Sequence, residues 1–225
     1  MDGNSGGVRL FLLRHGKPQF PDERRYIYGQ TDYPLSDVGK KEAAAIGKAL
    51  AAIPMERIIS SDLSRAVETA TIVSGLQKKK LCAVEQDPSL REIDMGEWDG
   101  LTKDEIAEGY VDIFRERGKD VESVAPPGGE SMGHLQGRGI AAFERITEES
   151  KELRNVLIAA HGAIMWSIVS GLFGMPLDNL FCFGLDYCGV HLIEHCGAAE
   201  RLWGKYRLIR YNWSPKVSRY MDDLV

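Results

Sequence analysis

Two stretches of the sequence decide the fold: Val8–Gly16 (VRLFLLRHG) and Asn155–Gly162 (NVLIAAHG). Each is a short apolar run that leads into a histidine followed by a glycine. An apolar run of this length is typical of a strand buried on both faces, as the strands of parallel sheets are. The two stretches therefore predict two central strands of one sheet, with His15 and His161 at their ends.

The remaining elements alternate along the chain. Further strands are expected at Arg57–Ser60, Leu81–Glu85, Gly189–Glu194 and Lys205–Arg210, and helices at Ser36–Ala52, Arg65–Val73, Ser131–Glu149 and Ala163–Leu172, with another helix opened by the capping-box sequence Thr102–Glu105. Strands that alternate with such helices form βαβ units. The predicted fold is a three-layer α/β/α sandwich with a mostly parallel central sheet. One domain is expected over residues 1–225, with flexible or peripheral ends at 1–7 and about 214–225.

Composition excludes several classes of protein. The 28 Lys and Arg residues against 33 Asp and Glu residues give a formal charge of −5, so the long-range field opposes binding to nucleic acid or to an anionic membrane. No apolar stretch approaches the length of a membrane span, and the first residues lack a secretory-signal pattern. The four cysteines are too few for a disulfide scaffold. These observations predict a cytoplasmic protein with reduced thiols.

The two histidines are expected to meet. The carboxyl ends of parallel strands form the ligand crevice of an α/β sheet, so His15 and His161 would emerge at one edge. Arg14 closes an apolar strand, where a guanidinium group is costly unless it meets an anion. Arg65 lies in the first turn of a predicted helix, a position that suits phosphate. Taken alone, Arg65 is equally well explained as a surface residue paired with Glu68; beside Arg14 it completes a fork for phosphate oxygens.

An acidic segment, Leu90–Gly100 (LREIDMGEWDG), supplies candidates for proton transfer. Cleavage of a phosphate ester needs a proton donor for the leaving oxygen. Glu92, Asp94 and Glu97 all qualify, and their spacing does not decide between them. Exposed positions on an edge strand would explain most of these acidic residues without a catalytic role.

The motifs, in their order along the chain, resemble those of the histidine phosphatase superfamily, also called phosphoglycerate mutase-like. The matching strings are Leu13–Gly16 (LRHG), Gly29–Asp32 (GQTD), Pro34–Ser36 (PLS) with Gly39, Ser60–Ala70 (SSDLSRAVETA), Leu90–Glu92 (LRE), Pro127–Ser131 (PGGES) and His161–Gly162 (HG). They span about residues 8–195. Each string is weak alone, whereas the ordered set is highly specific.

The resemblance implies a metal-independent enzyme without a cofactor that forms a phosphohistidine on His15. The implied catalytic set is His15, Glu92, His161, Arg14 and Arg65, and the implied substrate-binding set is Arg14, Gln30, Arg65, His161 and Gly162. In this scheme a protonatable His161 and two arginines surround the phosphate, and Glu92 donates the proton. His15 must attack as a neutral imidazole, so its second ring nitrogen must donate to a fixed acceptor. The expected partner is a small-molecule phosphate ester.

Such a site serves either hydrolysis or, as in the mutases, phosphoryl transfer between the hydroxyls of phosphoglycerate. The mutases carry a long insertion before the Pro-Gly-Gly-Glu-Ser motif, whereas Glu92 and Pro126 are 34 positions apart here. This short segment is similar to that of the small phosphatases, which include the α-ribazole phosphatases. We therefore expect a phosphomonoester hydrolase with α-ribazole 5′-phosphate as the favoured substrate, and phosphoglycerate mutase activity as the alternative.

The segment Phe20–Tyr33 is expected to form a lid over the site. Pro21 stands where the family often has a phosphate-contacting asparagine, and Gln19 or Gln30 is the candidate replacement. The lid contains Arg24, Arg25, Tyr26, Tyr28 and Tyr33. These residues either stack a nucleoside-like substrate or pack the lid over the sheet.

A zinc-binding module is an alternative of another class. Cys188, His191, His195 and Cys196 place four ligand types within nine positions. On a strand, alternation separates the histidines from the cysteines, so the four cannot converge on one ion. We expect no metal site there, and a non-catalytic binding protein of this fold is a more remote alternative. The sequence leaves the oligomeric state open, a homodimer included.

Overall fold

The chain folds around a six-stranded sheet. A computed structural model describes residues 7–78, 82–196 and 204–215. The strands are β1 (Arg9–Arg14), β2 (Arg57–Ser60), β3 (Val84–Gln86), β4 (Asn155–Ala160), β5 (Val190–His195) and β6 (Tyr206–Trp213). Their order across the sheet is β3-β2-β4-β1-β5-β6. The first four in this order are mutually parallel, whereas β5 runs antiparallel to β1, and β6 antiparallel to β5.

Helices cover both faces of the sheet. They are α1 (Asp37–Leu50), α2 (Ser64–Gly75), α3 (Lys103–Gly109), α4 (Val111–Lys119), α5 (Met132–Glu149) and α6 (Gly162–Leu172). Helices α1 and α2 pack on one face, and α5 and α6 pack on the other. The predicted three-layer α/β/α sandwich is confirmed. Among the described residues, no helix combines the length and the apolar character needed to span a membrane.

The two faces of β1 belong to two different cores. The core under α5 and α6 contains Leu10 and Leu12, and the core under α1 and α2 contains Phe11 and Leu13. Strand β4 lies beside β1 in parallel register, with Arg14 opposite Ala160. Because both strands are buried on both faces, the residues between their polar ends are apolar. The residues that follow them, His15 and His161, leave the sheet at adjacent points of one edge.

The backbone turns sharply after β1. A Cβ atom on Gly16 would lie 2.5 Å from the carbonyl oxygen of Gly39, and one on Gly39 would lie 2.2 Å from the carbonyl oxygen of Lys17. Neither position admits a side chain, and glycine alone allows the two backbones to approach so closely. The N-terminus of α1 therefore packs directly against the turn that follows His15.

Three of the six helices named above begin at predicted caps. The side chains of Ser36 and Ser131 accept N–H groups of the first turns of α1 and α5, and the capping box at the start of α3 is formed. Helix α2 is different, since no serine or aspartate immediately before it provides the cap. Instead, Asp32 accepts hydrogen bonds from the N–H and the hydroxyl of Ser64, at 2.9 and 2.8 Å. The lid segment therefore caps the helix that carries Arg65.

Some local predictions need correction. Strand β3 begins at Val84, later than predicted, and residues 79–81 lie outside the described residues. The acidic segment is not an edge strand: one short 3-10 turn, Pro88–Leu90, leads into it, and a second, Gly96–Trp98, lies within it at a glycine turn. Residues 1–6 and 216–225, which make up most of the predicted peripheral ends, also lie outside the described residues.

The cysteine- and histidine-rich segment lies along β5. His191 is fully buried, His195 is half-buried, and Cys188 and Cys196 are buried at opposite ends of the strand. Over residues 7–78, 82–196 and 204–215, no three His, Cys, Asp or Glu side chains are grouped closely enough to hold a metal ion. The structure therefore gives no support to a zinc module at this segment.

Candidate active site

His15 is held in one orientation by the turn that follows it. It is 1% exposed, and its Nδ1 atom lies 2.7 Å from the carbonyl oxygen of Gly16. Because a carbonyl only accepts, Nδ1 carries the hydrogen and Nε2 keeps its lone pair. The Gly16 N–H donates in turn to the hydroxyl of Thr69 at 3.0 Å. Burial, and then the charges of Arg65 and Arg14, lower the pKa of His15 well below its ordinary value. His15 is thus a neutral imidazole with a fixed tautomer.

His161 faces His15 across the edge of the sheet. Their ring centroids are 5.0 Å apart, and His161 is fully buried. Among the described residues, neither ring nitrogen of His161 has a hydrogen-bond partner. Burial, followed by the nearby His15 and then the cations Arg65 and Arg14, lowers the pKa of His161 well below its ordinary value. His161 is therefore a neutral imidazole in these surroundings, and its ring N–H has no acceptor among the described residues.

Arg65 is a fully buried cation. Its Nη1 and Nη2 atoms donate to the carbonyl oxygens of Thr31 and Gly29, at 2.9 and 2.7 Å. Its Nε–H is buried without a partner among the described residues. The interpretation of Arg65 as a surface residue paired with Glu68 is wrong, since Glu68 pairs with Lys40 at 3.3 Å. Arg65 is anchored by the lid backbone and keeps one donor for an anion.

Arg14 is anchored in a similar way. Its Nη1 donates to the carbonyl oxygen of Leu185, and its Cζ lies 4.2 Å above the ring of Tyr187. Its Nε–H is also buried with no partner in the part of the chain that the structure describes. Gly162 lies against this guanidinium group, because an atom at its Cβ position would be 3.6 Å from Cζ of Arg14. The two arginines together present two buried donors at the edge where the histidines emerge.

Glu92 is bound to the start of α6. Its Oε1 accepts from the N–H groups of Ile93 and Ile164, at 3.0 and 3.1 Å, and its Oε2 accepts from that of Ala163 at 3.0 Å. Ala163 and Ile164 lie in the first turn of α6, two and three positions after His161, so Glu92 is bound at the helix N-terminus next to that histidine. The other acidic candidates lie elsewhere: Asp94 accepts from the N–H of Gly96, and the exposed Glu97 accepts from a tyrosine hydroxyl. The structure thus singles out Glu92.

Two tyrosines cover the arginines, and the sequence did not indicate one of them. Tyr187 lies over Arg14 with its ring centroid 5.7 Å from that of His15, and Tyr28 lies over Arg65, whose Cζ is 5.3 Å from the ring centroid. Their hydroxyls are 3.1 Å apart and share a hydrogen bond. Burial raises the pKa of Tyr28 above its ordinary value. A lid residue and a residue of the loop before β5 therefore meet above the candidate site.

The lid packs largely on itself. Phe20 contacts the rings of Tyr26, Tyr28 and Tyr33, with centroids 5.1 to 6.3 Å apart. Arg24 is exposed and pairs with the carboxylates of Asp22 and Glu105; Arg25 is exposed as well. This arrangement supports a lid that packs its own residues more than one that presents a surface for stacking.

Of the two candidate replacements for the missing asparagine, Gln30 is the one bound to the segment that carries Glu92. Its Nε2 donates to the carbonyl oxygen of Glu92 at 3.3 Å, and its Oε1 accepts from Arg91 at 3.4 Å. Gln19 is exposed and donates to the adjacent carbonyl of Phe20, and Pro21 is exposed too. Gln30 therefore connects the lid to the backbone of the acidic segment.

Two further residues support the site and were not predicted. Asp99 accepts N–H groups from three successive lid residues, 29 to 31, at 2.8 to 3.0 Å. Arg138 of α5 donates to the carbonyl oxygens of Ser89, Arg91 and Glu92. Both act over long sequence distances, and no local pattern marks either. They fix the two loops from which Arg65 and Glu92 take their positions.

Comparison with known proteins gives a consistent result. The model of the histidine phosphatase superfamily (branch 1) matches residues 10–204. The probable phosphoglycerate mutase GpmB of Salmonella choleraesuis (strain SC-B67) is 34% identical over 188 residues, which cover 84% of this chain and 85% of that protein. The structure of Bacillus stearothermophilus YhfR is similar with a TM-score of 0.79 at 32% identity, covering 90% of this chain and 95% of that one. For the mycobacterial glucosyl-3-phosphoglycerate phosphatase the TM-score is 0.79 at 27% identity, covering 92% of this chain and 100% of that one.

The matched range contains every residue of the candidate site, from Arg14 to Tyr187. It also extends from the first strand of the sheet past the end of β5, so fold and site are matched together. The chain belongs to the histidine phosphatase superfamily.

Proposed function

We propose that the protein is a phosphomonoester hydrolase that works through a phosphohistidine on His15 and needs no metal ion. One observation carries the proposal. Beside a histidine of fixed tautomer lie buried donors that have no partner among the described residues: Nε of Arg14, Nε of Arg65 and the ring of His161. These donors suit the three equatorial oxygens of a phosphoryl group in transfer, whose charge they would stabilise.

In the first step, Nε2 of His15 attacks phosphorus while the bond from phosphorus to the ester oxygen breaks. The Nδ1–H bond to the Gly16 carbonyl keeps the ring oriented and stabilises the positive charge that develops on it. The leaving alkoxide takes a proton from the carboxyl group of Glu92 and departs as an alcohol. The phosphoryl group remains on His15, surrounded by the donors of Arg14 and Arg65.

In the second step, Glu92 takes a proton from water, the hydroxide attacks phosphorus, and the phosphorus–nitrogen bond breaks. Inorganic phosphate leaves, and His15 returns to its neutral form. Of the two carboxyl oxygens, Oε1 already accepts two N–H groups, whereas Oε2 accepts one. Oε2 is therefore the oxygen with the greater capacity to carry the transferred proton.

Hydrolysis is favoured over transfer to a second hydroxyl by the short connection between the acidic segment and the Pro-Gly-Gly-Glu-Ser motif. It holds only α3 and α4, both under ten residues. Phosphoglycerate mutase activity is the second candidate, because the similar Salmonella protein is named a probable phosphoglycerate mutase. α-Ribazole 5′-phosphate remains a candidate substrate on the resemblance alone, because the lid aromatics pack on one another and give no added support for stacking a base.

The test is a screen of phosphate esters with chelator present, combined with trapping of the phosphoenzyme. The screen includes α-ribazole 5′-phosphate, and 3-phosphoglycerate with and without 2,3-bisphosphoglycerate. We expect release of inorganic phosphate and an acid-labile phosphoryl label on His15. Isomerisation of phosphoglycerate faster than phosphate release would establish the mutase instead, and loss of turnover with chelator would contradict metal independence.

A further inference from the structure

A large cavity adjoins the proposed proton donor. It measures about 830 Å³, and its wall includes Ile93, which follows Glu92, and Ala163, whose N–H binds Glu92 Oε2. In the proposed reaction the leaving oxygen must lie beside Glu92, so the carbon skeleton of the alcohol extends from that point. The cavity is therefore the space in which the alcohol part of the ester would lie. This step rests on the proposed function.

The wall of the cavity is mainly apolar. Met95, Trp98, Phe114, Val121 and Met132 line it. Helix α4 contributes Phe114 but has no fully buried residue of its own, so its apolar side is not packed to the density of a core. A cavity of this size and lining falls within the range of sites for small organic ligands. A three-carbon acid offers no apolar surface to such a wall.

Positive charge surrounds the same cavity. Lys103, Arg115, Arg117 and Lys119 line it, and none of the described residues in its wall is acidic. None of the four forms an ion pair with a described residue. Burial lowers the pKa of Arg117, whose Nη1 donates only to the carbonyl oxygen of Val124 among described residues. In a chain of net charge −5, four cations without counterions favour an anion at this place.

The wall of the cavity also contains a buried hydrogen-bond donor. Trp98 is 2% exposed and lines the cavity, and its indole N–H has no hydrogen-bond partner in the described part of the chain. An indole N–H that is buried usually finds an acceptor. An acceptor atom of a ligand in the cavity would meet that requirement.

We propose that the enzyme acts on phosphate esters of amphipathic alcohols, which combine an apolar body of aryl size with a second anionic group. The apolar body lies against Phe114, Trp98 and Met132, and the anion lies toward Arg115, Arg117 and Lys119. The apolar wall and the cations of the cavity determine the affinity for the alcohol part of the ester. The residues of the phosphate pocket carry out the transfer of the phosphoryl group.

The first experiment varies the volume of the cavity. Gly118 lines it and has open space at its Cβ position, and Gly109 of α3 has the same open space but does not line it. We expect Gly118→Trp to lower kcat/KM for naphthyl phosphate by roughly tenfold, because apolar contact area is lost. Hydrolysis of glycerol phosphate should change less than about twofold, which also reports an intact fold, and the matched control Gly109→Trp should leave both esters unchanged. Equal losses for the two esters, or no loss for either, would overturn the proposal.

The second experiment varies the charge. The double variant Arg115→Gln/Lys119→Gln should raise KM roughly tenfold for phosphorylated hydroxynaphthoate and leave naphthyl phosphate unchanged, with a weaker effect at high salt. Lys151→Gln, at the opposite end of the sheet, is the control. A change shared by both esters, or absent from both, would count against the anionic group.

Binding separates this proposal from the proposed function. Naphthylmethylphosphonate cannot be hydrolysed, so its dissociation constant is measurable even if no ester is turned over. Tighter binding than methylphosphonate, lost in Gly118→Trp, would support the cavity whatever the reaction. If esters are hydrolysed but the two phosphonates bind equally, the hydrolase stands and the cavity proposal fails.

Discussion

The corners at His15–Gly16 and His161–Gly162 share a local sequence but differ in what holds the imidazole. His15 donates from Nδ1 to a carbonyl 2.7 Å away, whereas no described residue binds either nitrogen of His161. Both rings are buried, and both pKa values lie well below the ordinary value. The difference is therefore one of orientation rather than of charge.

This difference teaches how one motif supplies two roles. A nucleophile needs a ring that cannot turn and a lone pair aimed at its target. A phosphate ligand needs an N–H with no competing acceptor, which His161 provides. The carbonyl of Gly16 is thus the feature that separates the two corners, and the variants of His15, Glu92 and His161 test that separation.

The largest expected effect is the loss of His15. We expect His15→Ala to lower kcat by about 10⁵-fold or more, as removal of a nucleophile does, and to abolish the phosphoenzyme label. The measurement is phosphate release together with acid-quenched labelling. His195→Ala, at a half-buried histidine outside the site, serves as control. A label that survives in His15→Ala but is lost in His161→Ala would reverse the assignment of the two corners.

Glu92 belongs to the His161 corner because N–H groups of α6 bind its carboxylate. We expect the rate lost on removing this carboxyl group to depend on the leaving group of the ester. For an alkyl ester we expect Glu92→Gln to slow formation of the phosphoenzyme by about 10³-fold, a typical size for general acid catalysis. For nitrophenyl phosphate, whose leaving group needs no proton, the same step should slow far less. Rapid-quench measurement of the first turnover tests this. Equal slowing of both esters would show that Glu92 only positions α6.

His161→Ala is expected to have a smaller effect of another kind. Loss of one preorganised donor to the phosphoryl oxygens should lower kcat by about 10²-fold. The phosphohistidine should still form, because His15 and its carbonyl acceptor are untouched. Label on the variant, measured after a slower time course, is the expected result. A complete absence of label would mean that the two corners do not work separately.

The smallest effect concerns a third buried histidine, outside the site. Nδ1 of His191 accepts from the N–H of Asn212 at 3.0 Å, so its tautomer is opposite to that of His15. Burial lowers the pKa of His191 from 6.5 to about 4. Between pH 6.5 and about 4, His191 is protonated in the unfolded chain but neutral in the folded one, so the unfolded chain binds more protons. The free energy of unfolding therefore falls as the pH drops through this range. The full effect of this one group is at most about 3 kcal/mol.

Denaturant titrations at several pH values measure this slope. His191→Asn keeps an acceptor for the Asn212 N–H and removes the titrating group, so the slope should become shallower. His15 and His161 contribute in the same direction and remain in the variant. An unchanged slope in His191→Asn would show that its burial does not govern the acid sensitivity.

The sequence was sufficient for the features that depend on local pattern. Both strand-to-histidine corners could be placed because an apolar run buried on two faces must end at the edge of the sheet. The position of Arg65 followed in the same way from a strand that leads into a helix start. The choice among the acidic residues did not follow, since it depends on the first turn of α6, where Ala163 lies 71 positions after Glu92.

Tyr187 shows the other limit of the sequence. It precedes β5, and residues at the start of a strand lie far from the carboxyl edge if that strand is parallel. Because β5 runs antiparallel to β1, its start lies at the same edge as His15. An apolar run carries no sign of strand direction, so Tyr187 was missed. Asp32 and Asp99 were missed because they bind across loops whose paths no local pattern describes.

The attachment of Arg65 has a consequence for how such an enzyme can be altered. The lid holds this arginine through the carbonyl oxygens of Gly29 and Thr31, and Asp99 holds the same stretch through its N–H groups. Every residue type has these main-chain atoms, so the side chain at position 31 can be substituted without loss of these hydrogen bonds. A directed-evolution library at such lid positions would therefore vary the substrate selectivity while the position of Arg65 is kept.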